Sequence, residues 1–187
     1  MRRLTALALT AAVLITSGAL SAQGRIKQQG RAIVEYRSPE VTAVAAYEYS
    51  QRNHGGTWLL IEFGVQASKR IAIHRDEFSL VTPDERAVRL ATQEQFLEDH
   101  QELTKLLQNA KIWRRPLHSY FRTPPQYTIR FFTTPGSVVH NSAATNLDEV
   151  AAGDLFFKSA TGRWEAGTYR LVLNHQQAKA ELPITLE

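Results

Sequence analysis

The chain of 187 residues contains no cysteine. A disulfide framework is therefore excluded, and so is an acyl anchor carried on a cysteine. Long apolar runs are also missing. A bilayer-spanning helix needs about 20 consecutive apolar residues, and no segment supplies them. The short motifs that announce chemistry are absent as well: no HExxH helix, no GxSxG elbow, no SxxK, no phosphate-binding loop and no dinucleotide fingerprint. There is no internal repeat, no low-complexity tract and no Pro/Gly/Ser linker that would divide the chain.

What stands at the N-terminus is a short positive region, Arg2-Arg3, then an apolar stretch from Leu4 to Ile15, then small and polar residues up to Ala22. This is the three-part layout of a secretory signal. Cleavage is placed after Ala22, with cleavage after Ser21 as the alternative. The expected organisation is a signal peptide over 1–22, a flexible polar lead-in over 23–30, and a single domain over 31–187. An exported domain without disulfides points to a bacterial envelope or secreted protein, so a periplasmic or extracellular location is expected. The signal holds two of the 22 basic residues and none of the 18 acidic ones. The mature chain is thus nearly neutral, and its basicity gives no argument for nucleic acid or acidic lipid. A domain of this size should bury roughly 70% of its unfolded surface and needs no metal to fold.

From Arg31 onward the pattern is that of strands. Val41 to Tyr49 alternates. Asn53-His54-Gly55-Gly56 reads as a turn with positive φ, and Thr57 to Val65 as a central strand, apolar on both faces at Trp58 to Ile61. Arg70 to His74 is a short strand. Glu77 to Leu90 reads as a hairpin around a type I turn at Thr82-Pro83-Asp84-Glu85. Tyr127 to Thr133 and Asp154 to Lys158 follow, with a short strand at Val138-Val139 and a helical turn over Asn146 to Ala152. Thr168 to Asn174 and Ala178 to Leu186 form the last hairpin, its second strand at an edge because Pro183 cannot donate to a ladder. The helix signal lies over 92–111. Thr92 and Gln95 make a capping box, and Phe96, His100, Leu103, Leu107 and Ala110 recur at helical spacing.

Trp164-Glu165-Ala166-Gly167-Thr168-Tyr169-Arg170-Leu171 resembles the tyrosine corner of immunoglobulin-like domains. The resemblance implies an immunoglobulin-like antiparallel β-sandwich with one inserted amphipathic helix. Tyr169 would be the corner tyrosine, Leu171 would take the position of the second cysteine, and Trp58 would be the inter-sheet tryptophan. The departures are the missing cysteine pair, Glu165 in place of aspartate, and the helix. Such sandwiches carry no function by themselves.

Candidate chemistry is sparse. The histidines (54, 74, 100, 118, 140 and 175) are scattered. His100 lies on the apolar stripe and is expected to be buried and hydrogen-bonded, whereas His54 and His175 sit in turns and should be solvated. No metal ligand set, cofactor site or catalytic residue is assigned. The segment from Ile112 to Arg122 is the best binding candidate, because Trp, Tyr and Arg are the residue types enriched at hot spots. Its candidate residues are Trp113, Arg114, Arg115, His118 and Tyr120. The competing expectation is that Trp113, Leu117 and Phe121 pin the loop while the arginines are solvated. The preferred function is a non-catalytic envelope protein that binds another protein. A carbohydrate or small-ligand binder is the first alternative, and an unrecognised hydrolase the second.

Overall fold

The computed structural model describes residues 24–187, so the signal expected over 1–22 lies outside the described residues. The first strands are β1 (Arg25–Gln29), β2 (Ile33–Arg37) and β3 (Val41–Ala46), followed by helix α1 (Glu48–Arg52) and β4 (Trp58–Ala67). Next come β5 (Ile71–His74), β6 (Phe78–Val81) and β7 (Ala87–Arg89), then helices α2 (Gln93–Glu98) and α3 (His100–Ala110). The remaining strands are β8 (Pro125–Ile129), β9 (Ser142–Thr145), β10 (Val150–Lys158), β11 (Gly167–His175) and β12 (Ala178–Leu186). One sheet runs β1-β2-β3-β4-β10-β8, a second runs β12-β11-β6-β7, and β5 pairs with β9.

The two larger sheets enclose one apolar core, as in a β-sandwich. Leu59, Ile61, Phe63 and Val65 of β4 meet Leu80 of β6 and Leu171 and Leu173 of β11 in that core. Along β12 every second residue, from Ala178 to Leu186, is buried, which is the period-2 pattern that sorts a strand's side chains between two faces. Trp58 and Leu60, also on β4, point the other way, into a second apolar cluster with Phe96, Leu103, Leu106 and Phe156. Strand β4 is therefore covered on both faces, as its continuous apolar run implies.

Local signals held in several places. Thr92 Oγ1 accepts from the Gln95 amide and Gln95 Oε1 accepts from the Thr92 amide, completing the capping box. The hairpin β6–β7 turns through Pro83-Asp84-Glu85, with Thr82 bonded to Arg86 on both sides of the loop. Glu85 takes φ 63°, the left-handed residue that such three-residue loops require, and a two-pronged ion pair to Arg170 at 2.9 and 2.7 Å holds it. The Tyr169 hydroxyl donates to the Glu165 carbonyl at 2.9 Å, and Trp164 stands edge-on to its ring at 5.6 Å. Tyr169→Phe removes that donor while keeping the ring. We expect it to cost about 1 kcal/mol in urea denaturation, and no measurable loss would show that the bond does not brace the corner.

Other expectations are corrected. The polar lead-in is not loose throughout: residues 25–29 pair with β2 in a hairpin, because Gly30 at φ 64° supplies the left-handed turn residue. The strand expected to reach Tyr49 stops at Ala46 and becomes α1. Ser50 Oγ there accepts from the Leu60 amide and donates to the Leu60 carbonyl, at 2.9 and 2.7 Å, so a helical turn sits against β4. Gly55 and Gly56 have no positive φ, since the turn leads out of a helix rather than across a tight hairpin. The single helix over 92–111 is two helices that meet at Asp99 (φ −99°, ψ 22°). The Asp99 carboxylate accepts from Trp58 Nε1 at 3.0 Å and pairs with Lys158 at 2.8 Å. Leu106 joins the buried stripe, which His100 reaches only partly. Trp58 is not between the sheets. It faces the helices, and Trp164 lies in the main core instead. The sheets are not purely antiparallel, because β8 runs parallel to β10. Val138 and Val139 form no strand, and the helical turn over 146–152 is a tight turn that enters β10 at Val150.

Candidate functional site

Residues 112–122 form a strap across the outer face of the six-stranded sheet. Leu117 begins a 3-10 turn that ends at Tyr120. Leu117, Tyr120 and Phe121 pack against Val44 of β3 and Val150 of β10. Gly64 of β4 makes the seat: a Cβ there would stand 2.8 Å from the Phe121 ring. The expected pinning by Leu117 and Phe121 therefore holds. Trp113 pins differently, half-buried, with the Arg52 guanidinium 4.6 Å over its ring.

The arginines are not simply solvated. Arg114 makes two bonds to Asp154 of β10, at 3.0 and 2.7 Å. Arg115 reaches Glu48 at the start of α1, at 2.9 Å. Tyr120 is half-buried and lends its carbonyl to Arg37 at 3.3 Å. His118 is exposed. The five candidates thus share one strap, but the two arginines already hold carboxylates and the two aromatic rings already have partners.

Those carboxylates act on a residue that belongs to no recognisable motif. Glu62 lies on β4 directly opposite Asp154 on β10. Burial, together with the negative charges of Asp154 and Glu48, outweighs the attraction of Arg114 and pushes its pKa up to about 7. Burial works against the Arg114 guanidinium, but the bonds and charge of Asp154 and the charge of Glu62 outweigh it and raise its pKa. The cluster therefore holds a proton near neutral pH and links the strap to the sheet. Its sequence signal is one glutamate inside the apolar run Trp58-Leu-Leu-Ile-Glu-Phe. The partners Asp154 and Arg114 have no local signal.

The histidines do not converge. His54 Nδ1 lies 3.1 Å from the Gln51 carbonyl, and His175 Nδ1 accepts from the Gln177 amide at 3.1 Å. His100 departs from the expected hydrogen-bonded state: its Nδ1 is buried without a partner among the described residues. Among the described residues no group of three His, Asp or Glu side chains could hold a metal ion. No described helix is long and apolar enough to cross a membrane.

A second place is the open side of the sandwich. Strands β1 and β12 are edges of the two facing sheets. They flank a cleft of about 720 Å³, lined by Ile26, Tyr36 and Glu40 on one side and Gln176 to Glu181 on the other. Ile26 is 53% exposed there. On an antiparallel strand, alternate residues direct their backbone groups to opposite edges. The Thr185 amide donates to the Tyr47 hydroxyl at 3.3 Å, away from β11. Lys179, Glu181 and Pro183 share its parity, so their backbone groups also face the open edge. Pro183 has no N–H to offer, which leaves the amides of Lys179 and Glu181 as the available donors beside the cleft. No protein-family model, curated protein or solved structure matches this chain.

Proposed function

We propose that this chain is an exported, non-catalytic envelope protein of immunoglobulin-like architecture that binds a partner protein by strand addition. The observation that carries the reading is the open edge of β12 at Lys179–Glu181, facing a cleft beside a second open edge, β1. An extended segment of a partner would pair with those backbone groups and place its side chains over Ile26 and Tyr36. Pro183 and the Tyr47–Thr185 bond confine pairing to the first half of β12. The tyrosine corner supports the immunoglobulin-like reading, and the signal layout supports export. The strap over the sheet serves as a brace in this reading, since its arginines and aromatics are engaged within the molecule.

Glu181→Pro tests this directly. The Glu181 amide faces away from β11, so the substitution removes an edge donor and leaves the β11–β12 ladder intact. The tagged protein would be crosslinked in its native host and its partners identified by mass spectrometry. Capture by the wild type and by Glu181→Ala, with at least tenfold less capture by Glu181→Pro, is the expected result. Equal capture by all three would remove strand addition, and a circular dichroism spectrum of each variant guards against misfolding.

A further inference from the structure

A cavity of about 560 Å³ opens on the opposite end of the four-stranded sheet, where the 3-10 turn before β6, the end of β7 and strand β10 come together. Its walls carry three cations, Arg75, Arg89 and Lys158, against one carboxylate, Asp76. Lys158 is already paired with Asp99. Among the described residues, neither Arg75 nor Arg89 has a carboxylate within ion-pair distance.

Arg75 is the informative residue. It is half-buried, its guanidinium donates to the Ala91 carbonyl, and its charged plane lies 5.3 Å over the Phe132 ring. Burial lowers its pKa despite the nearby charge of Asp76. A guanidinium that has lost water without gaining a carboxylate is short of counter-charge. Arg89, exposed at the end of β7, lines the same cavity. Phe78 and Leu90 are closed into the core behind that space, and half-buried Val88 shows some apolar surface to it.

We propose that this cavity binds an oxyanion, a carboxylate or phosphate group carried on a small molecule. Arg75 and Arg89 bond the anionic group. The cavity shares no residue with the β1–β12 cleft, so binding here is separate from strand addition.

Binding of inorganic phosphate and of glucuronate to the full mature chain would be measured by titration calorimetry at constant ionic strength, with chloride as background. Saturable binding of at least one probe is expected, weakened at least tenfold by Arg75→Gln and by Arg89→Gln. Arg89 is exposed, so its variant tests the site without risk to the core. Arg86→Gln, an arginine on the same hairpin but paired with Asp84, should bind as the wild type does. Preference for phosphate assigns a phosphoryl ligand, and preference for glucuronate assigns an acidic sugar or carboxylate. No saturable binding of either probe, or binding that survives in Arg89→Gln, overturns the proposal.

Discussion

Phe78→Ala is expected to destabilise the protein by about 3–5 kcal/mol, the range for removing a fully buried aromatic ring. Phe78 is 1% exposed. Its ring meets Phe63 of β4 edge-on at 5.1 Å and Phe131 at 5.8 Å, so one side chain from the four-stranded sheet touches both the centre of the six-stranded sheet and the segment after β8. Its backbone pairs with Leu173 of β11, and β6 lies between β11 and β7, which leaves little freedom for the neighbours to collapse into the gap. Urea denaturation followed by tryptophan fluorescence would read the loss, as a lower midpoint with an unchanged slope. A cost below about 1 kcal/mol would mean that the ring can be replaced by relaxation, and that the two sheets do not depend on this contact.

Glu62→Gln should change the pH dependence of stability. The native Glu62 carboxyl titrates at about 7, against 4.5 for the ordinary group, so the folded state holds its proton more tightly than the unfolded state. The stability linked to that proton is complete below the unfolded pKa and is lost as pH rises through about 7. Because Glu62 keeps some contact with water, the loss is expected to be about 1–2 kcal/mol. Gln keeps the shape of the protonated acid and cannot ionise. The variant should therefore be the more stable protein above neutral pH and show a flat profile between mildly acidic and mildly basic conditions. Asp84, Glu85 and Asp99 have pKa values lowered mainly by bonds from Thr82, Arg170 and Lys158 respectively. Their contributions are lost only as pH falls, outside the window that Glu62 controls. Identical profiles for the wild type and Glu62→Gln would show that the cluster around Arg114 does not store a proton.

Both predictions act on residues whose importance comes from distant neighbours, and that marks how far the chain could be read before its structure. Features settled by a few adjacent residues were legible. Thr92 and Gln95 satisfy each other's amides within four positions, so the start of α2 is local. Pro83 and Asp84 set the turn of the β6–β7 hairpin, Tyr169 reaches only to Glu165, and Pro183 excludes a central place for β12. Alternation in β12 and continuous apolarity in β4 likewise followed from how many faces each strand buries.

What the tertiary structure decided is where those pieces meet. Trp58 opens an apolar run and Trp164 stands between Arg163 and Glu165, yet the sheet order sends the first to the helices and the second to the main core. A helix signal that runs unbroken through Asp99 is interrupted there, where Trp58 and Lys158, far away in the chain, hold its carboxylate. Arg114 and Arg115 look like free hot-spot residues until Asp154 and Glu48 arrive beside them. Arg75 and Arg89 look like ordinary surface cations until the fold brings them to one cavity whose single carboxylate, Asp76, pairs with neither. The physical reason is common to all of these. Caps, turns and strand periods are fixed by bonds that close within a few residues, whereas ion pairing, desolvation and core contacts depend on neighbours set by chain topology, which no local pattern encodes.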